Sequence, residues 1–99
     1  MAFKLLYTIE AADVLGDLEA SPQYAKKLKK VRRCLGRIEE DPSYPGLQSH
    51  KYDSLRGPGG ADVWESYVEN RTPSAWRVWW CYGPDPGQIT IVTIGPHPD

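Results

Sequence analysis

Two apolar segments near the end of the chain, residues 75–82 and 89–94, are dense in β-branched and aromatic side chains. Residues 83–88 between them hold two prolines and two glycines, which suit neither a strand interior nor a helix interior. This pattern predicts a β-hairpin. Residues 61–69 alternate with a period of two, which is typical of a strand. One face of that strand would carry Val63, Glu65, Tyr67 and Glu69, and the other Trp64, Ser66 and Val68.

The first half of the chain predicts one strand and two helices. Residues 3–8 form a short apolar segment, and residues 10–19 are rich in helix formers. Ser21 before Pro22 is typical of a helix start, and the second helix should end near Pro42. The apolar stripe of this helix has alternating spacings of four and three and consists of Tyr24, Leu28, Val31, Leu35 and Ile38.

Residues 42–60 are rich in proline, glycine and serine, and we interpret them as a polar connecting loop. The resulting order is strand, helix, helix and a three-stranded antiparallel meander. It predicts a single α+β domain over residues 1–99, with both helices packed on one face of the sheet. On the strand of residues 75–82, the side chains expected under the helices are Trp76, Val78, Trp80 and Tyr82. Those expected on the opposite face are Arg77, Trp79 and Cys81.

The formal net charge of the 99 residues is −1, but the charge is unevenly distributed. Seven lysines and arginines lie within residues 26–37, on the predicted second helix. Such a segment is either a solvated helix face or a binding surface for phosphates or an acidic partner.

The sequence predicts neither a metal site nor a membrane-spanning helix. The two cysteines and two histidines are scattered without metal-ligand spacing, so we expect no metal, no cofactor and two free thiols. No apolar run approaches the roughly 18 residues of a membrane-spanning helix. The first residues do not resemble a signal peptide. These features predict a cytoplasmic protein without a membrane partner.

Several short motifs, taken with the element order, resemble the RelE/ParE superfamily of toxins from bacterial toxin–antitoxin modules. They are the Leu55-Arg56-Gly57 step, the Ala75-Trp76-Arg77-Val78-Trp79 strand and the Ile94-Gly95-Pro96-His97 exit. The resemblance implies a RelE-like fold and a protein antitoxin as partner. It further implies either a metal-free endoribonuclease that cleaves mRNA, with or without the ribosome, or a ParE-like inhibitor of gyrase.

The resemblance also implies roles for individual residues. Arg77 matches the strand arginine that would hold the scissile phosphate through its forked donors. His97 matches a C-terminal histidine that would act as the general acid. Asp53 lies where some relatives place a carboxylate base, and His50 is the second candidate for that base. Further substrate contacts would come from Arg56, Trp79 and Lys51.

The same residues also allow purely structural interpretations. Arg77 could lie over Trp79 or pair with Glu65 or Glu69, and these acidic side chains would repel an RNA backbone. His97 and His50 could be solvated, and Asp53 could stabilise a turn. The corresponding functional alternatives are a catalytically inactive or gyrase-inhibiting binding module on the same fold, and a plain interaction domain.

Overall fold

The computed structural model describes residues 2–98, which form two α-helices and a five-stranded sheet. The elements are β1 (Lys4–Tyr7), α1 (Ile9–Ala20), α2 (Ala25–Glu40), β2 (His50–Arg56), β3 (Asp62–Tyr67), β4 (Trp76–Tyr82) and β5 (Gln88–Pro96). The strand order is β1-β5-β4-β3-β2, with β1 parallel to β5 and all other pairs antiparallel. The predicted α+β class is therefore confirmed.

Both helices pack on one face of the sheet, as the apolar stripe predicts. Val31 and Ile38 of α2 lie in the same buried cluster as Val78 and Trp80 of β4. Tyr82 packs against Trp80 and Phe3 on the helix side, but its side chain is 51% exposed at the end of β4. The α-helical part of the second helix begins at Ala25, after a 3-10 turn at Pro22–Tyr24.

The prediction that residues 42–60 form a loop is wrong in its centre, where the chain forms β2. This strand pairs antiparallel with β3 and extends the predicted meander to four strands. It lies at the edge of the sheet, and only Tyr52 and Leu55 along it are half-buried. An edge strand of this kind needs few apolar residues, so its sequence carries no clear alternation.

A chain of buried hydrogen bonds holds the start of β2 against the core. The indole nitrogen of Trp80 donates to Ser66 Oγ at 2.7 Å, and Ser66 Oγ lies 2.7 Å from Ser49 Oγ. Ser49 in turn donates to the carbonyl oxygen of Pro42. Because the Ser49 proton goes to that carbonyl, the Ser66 hydroxyl donates to Ser49.

The end of β3 departs from the predicted alternation. The N–H groups of Val68 and Glu69 both donate to the carbonyl oxygen of Trp76, so two residues oppose one, as in a β-bulge. Glu69 consequently turns towards α2, where its carboxylate binds Lys27 at 2.7 Å and Lys30 at 3.2 Å. The expectation that Glu69 shares a face with Glu65 is therefore wrong.

Two other features bear on the chemistry expected from the sequence. Cys34 and Cys81 are buried and free, and burial raises the pKa of the Cys34 thiol to about 12. Among residues 2–98, no helix combines the length and the apolar character that crossing a membrane requires.

The contacts of Glu69 predict a pH-dependent contribution to stability. Burial acts to raise the pKa of its carboxyl, but hydrogen bonds from Lys27, the Trp76 N–H and Lys30 outweigh it and hold the pKa below its ordinary value. The stabilisation is therefore present above the unfolded pKa of about 4.3 and is lost as the pH falls through the folded value. Glu69→Gln should lower the free energy of unfolding at pH 7 by about 1–3 kcal/mol.

Urea unfolding at pH 7 and pH 3 measures this effect, and the difference from wild type should shrink at pH 3. Glu19→Gln is the matched control, because Glu19 forms its ion pair with Arg32 on the exposed surface. That substitution should cost less than about 1 kcal/mol. Equal losses for the two variants would contradict the assignment.

Candidate functional site

The face of the sheet opposite the helices carries a buried carboxylate, Glu65 of β3. Its side chain is turned to the same face as Arg77 and Trp79, because register pairs Glu65 with Trp79 and Tyr67 with Arg77. Glu65 is only 1% exposed. A buried carboxylate is costly unless charged or hydrogen-bonding groups surround it, so its neighbours identify the site.

Three basic side chains surround this carboxylate. Glu65 Oε1 lies 3.1 Å from His50 Nε2 and 3.7 Å from Arg77 Nε. Glu65 Oε2 lies 3.4 Å from His97 Nε2. We call these four residues the Glu65 cluster. They come from β2, β3, β4 and the exit of β5, so the complete antiparallel meander is needed to assemble them.

Local backbone pairing places each histidine. His50 is the register partner of Glu65 on the neighbouring strand. His97 follows the end of β5, and its backbone N–H donates to the carbonyl oxygen of Ala75 at 2.9 Å. Both imidazole rings are partly exposed, in contrast to Glu65. They can therefore meet a ligand while one edge of each ring faces the carboxylate.

Arg77 is buried, since only 9% of its surface is exposed to solvent. Its Nη1 donates to the carbonyl oxygens of Glu69 at 2.6 Å and Trp76 at 3.2 Å. Its Cζ lies 3.6 Å from the ring centroid of Tyr67, so the cation–π contact is made with Tyr67 rather than with Trp79. These contacts orient the guanidinium along the open face of the sheet.

The approach to Arg77 from β5 is uncrowded. Gly95 is the register partner of Arg77, and a Cβ added at Gly95 would meet no heavy atom within 4 Å. A glycine opposite the arginine thus leaves room beside it, where a side chain would otherwise stand.

The contacts of the two histidines differ in number. Nδ1 of His50 lies at hydrogen-bond distance, 3.0 Å, from the carbonyl oxygen of Gln48, while Nε2 faces Glu65. Since both neighbours are acceptors, His50 can donate to both only as the imidazolium. Nδ1 of His97 makes no hydrogen bond within residues 2–98, so this nitrogen is available to a ligand.

Other residues expected at the site lie outside the cluster. Register pairs Lys51 with Trp64, on the face opposite His50, and Asp53 forms no ion pair with the Glu65 cluster among residues 2–98. Lys51 and Arg56 instead form ion pairs with Asp62. Trp79 lies on the expected face but is only 4% exposed, beneath Tyr52.

Glu65 is the residue that the sequence analysis missed. The period-two alternation already placed Glu65 on the face of Arg77, and one structural interpretation paired the two. We interpreted its charge as repulsion towards RNA because the pattern gave its face and not its depth. Buried between two imidazoles and a guanidinium, the carboxylate is shielded and organises the basic groups around it.

No protein-family model matches the chain, and no curated protein matches it in sequence. Solved structures do match. The YoeB/ParE toxin from Agrobacterium tumefaciens is 13% identical, with a TM-score of 0.69 over 96% of this chain and 99% of that chain. The archaeal RelE–RelB complex from Pyrococcus horikoshii OT3 gives 15% identity and a TM-score of 0.64 over 97% and 96%. The intact RelBE toxin–antitoxin complex of E. coli gives 12% identity and a TM-score of 0.59 over 99% of this chain and 100% of that chain.

These similarities extend over nearly the whole length of both chains in each comparison. They agree with the element order predicted from the sequence. The protein has the fold of solved YoeB/ParE and RelE toxin structures.

Proposed function

We propose that the protein is the toxin of a toxin–antitoxin module and an endoribonuclease that cleaves mRNA at the Glu65 cluster using side chains alone. The observation that carries this proposal is one buried carboxylate in contact with two imidazoles and a guanidinium. These are the groups that phosphodiester cleavage requires, and they lie on a fold shared with solved YoeB and RelE toxins.

The chemistry sets three demands. The ribose 2′-hydroxyl attacks the adjacent phosphorus, and a base removes its proton. A cation stabilises the charge that develops on the phosphorane oxygens, and an acid protonates the departing 5′-oxygen. The products are a 2′,3′-cyclic phosphate and a 5′-hydroxyl, so the proton removed by the base is balanced by the proton that the acid supplies.

Arg77 is the group suited to the phosphate. The guanidinium is permanently charged, and its contact with Tyr67 and two backbone carbonyls gives it a defined orientation. The space beside Gly95 gives a phosphate access to it. A donor fixed in this way stabilises developing charge without reorganising during the reaction.

The contacts of the histidines suggest how the proton transfers are divided. His97, in place of the acid role that the resemblance implies, takes the 2′-hydroxyl proton at Nδ1 as the base, while its Nε2 faces Glu65. His50 supplies the proton to the 5′-oxygen from Nδ1, which exchanges its contact with the Gln48 carbonyl oxygen for one with the leaving group while Nε2 faces Glu65. Glu65 stabilises the charge on whichever ring is protonated, as the carboxylate of a catalytic triad does. Asp53 has no part in this arrangement.

The partners follow from the same proposal. Solved structures with this fold include complexes described as RelE–RelB and DinJ–YafQ toxin–antitoxin complexes. We therefore propose a protein antitoxin as the binding partner, mRNA as the substrate with the ribosome as a further partner, and the cytoplasm as the location.

One observation favours a second candidate, a binding module on the same fold without catalysis, including a gyrase inhibitor. Arg77 is largely buried and already bonded to two carbonyls. An arginine in that state also serves a structural role. Growth arrest that survives combined Arg77→Ala and His97→Ala substitution, with translation intact and DNA supercoiling impaired, would favour this candidate.

Replacing Arg77 tests the proposed phosphate contact. Arg77→Lys keeps the charge but loses the forked donors, and cleavage of single-stranded RNA by the purified protein should fall by about 10²–10³-fold. The rate of appearance of 2′,3′-cyclic phosphate ends measures the effect. Urea unfolding of the same variant establishes that it is folded.

Arg56→Lys is the matched control, because Arg56 is exposed and paired with Asp62 outside the Glu65 cluster. Its cleavage rate should stay within about threefold of wild type. If Arg77→Lys also stays within about tenfold, the guanidinium has a structural role and no catalytic one.

Replacing Glu65 tests whether one carboxylate serves both histidines. Glu65→Gln keeps the size of the side chain and removes its charge, so cleavage should fall at least about a hundredfold. The wild-type rate should vary with pH as a bell, since one ring acts neutral and the other protonated.

The control for charge removal is Asp62→Asn, which lies on the same strand and pairs with Lys51 and Arg56. Its cleavage rate should stay within about threefold of wild type. A Glu65→Gln cleavage rate equal to wild type would rule out the proposed role of the carboxylate.

A further inference from the structure

A second feature lies beside the Glu65 cluster on the same face of the sheet. It is a cavity of about 200 Å³, and its lining residues are Tyr52, Ser54, Leu55, Trp79, Thr93 and Pro98. Two of these side chains are the aromatic rings of Tyr52 and Trp79, two are the aliphatic Leu55 and Pro98, and two are the small hydroxyl residues Ser54 and Thr93, so none is charged. We call it the Trp79 cavity. Its lining is unsuited to a phosphate and suited to a flat, weakly polar ring.

The Trp79 cavity and the Glu65 cluster share a wall. The ring of Tyr52 meets Trp79 edge-on at 5.7 Å between centroids and meets His97 edge-on at 6.3 Å. Trp79 is also the register partner of Glu65. A ligand with a phosphate beside Arg77 therefore has this cavity as its immediate neighbour.

An unpartnered donor adds an independent observation. Trp79 is 96% buried, and its Nε1 has no hydrogen-bond partner within residues 2–98. Buried indole N–H groups normally donate to an acceptor, and leaving one unpaired is destabilising. By contrast, Trp80 Nε1 in the core donates to Ser66. This donor belongs to a side chain that forms part of the wall of the Trp79 cavity.

We propose that the Trp79 cavity binds one unpaired nucleobase of the RNA cleaved at the Glu65 cluster, an inference that rests on the proposed function. A nucleobase has flat faces that can pack against Tyr52 and Leu55. The hydroxyls of Ser54 and Thr93 can donate or accept at its edge. A base stacked within a duplex could not enter, so the substrate is single-stranded.

Binding without cleavage separates this inference from the proposed activity. The probe is a fluorescently labelled 2′-O-methyl trinucleotide, which lacks the attacking hydroxyl, compared with versions in which one base at a time is replaced by an abasic sugar. Loss of the base that occupies the cavity should weaken binding about tenfold or more, because stacking dominates single-strand recognition. Loss of the other bases should matter less. The indole N–H resonance of Trp79 should shift with the parent probe and not with ribose 5-phosphate.

A variant in which a larger side chain fills the cavity provides the second part of the test. Ser54 is exposed on the edge strand, so Ser54→Ile adds bulk to the cavity without disturbing the core. This variant should bind the parent probe about tenfold more weakly and should no longer distinguish it from the abasic probe. Ser43→Ile, at an exposed site away from the cavity, is the control and should bind as wild type does.

Two outcomes would overturn the inference: equal binding of the parent and all abasic probes, or full base dependence retained in Ser54→Ile. The proposed function fails separately, if unmodified RNA stays intact although the base-dependent binding is present. Cleavage of RNA without base-dependent binding would leave the activity standing and remove the base site.

Discussion

The site depends on one constraint, which is that the negative charge of the buried Glu65 carboxylate must be compensated by neighbouring groups. Glu65 has almost no contact with solvent, and a charge in that position is stable only among opposite charges and donors. Arg77 from β4, His50 from β2 and His97 beyond β5 supply them. Strand pairing and charge compensation therefore reinforce each other, since a register shift of β2 or β4 by one residue would turn its basic side chain to the wrong face.

This arrangement also explains why one sheet face can do without helices. The helices cover the side of Val78 and Trp80. On the other side, aromatic rings pack against the side chains that the strands carry. Tyr67 covers Arg77, and Tyr52 covers Trp79. The face is thus compact enough to bury Glu65 yet leaves the two histidines partly exposed, which is the combination that proton transfer to a bound ligand requires.

The charge balance of the cluster has a consequence for ligand binding. Glu65 orients the basic groups and also neutralises part of their charge, so an incoming phosphate competes with an internal carboxylate. The neighbouring Trp79 cavity, with its uncharged aromatic lining, offers binding that does not depend on charge. Under the proposed function, stacking of a base would supply affinity that does not depend on charge, which suits a protein whose formal net charge is only −1.

The sequence by itself determined α2 from its apolar stripe, β3 from its alternation, and β4 and β5 from their β-branched and aromatic residues and the turn residues between them. It also placed Arg77 and Glu65 on a shared face. Only the tertiary structure decided that His50 belongs to a strand and how deeply Glu65 lies. Local patterns specify the face of an element, whereas burial and the contacts among four distant segments arise from strand register, which no single segment encodes.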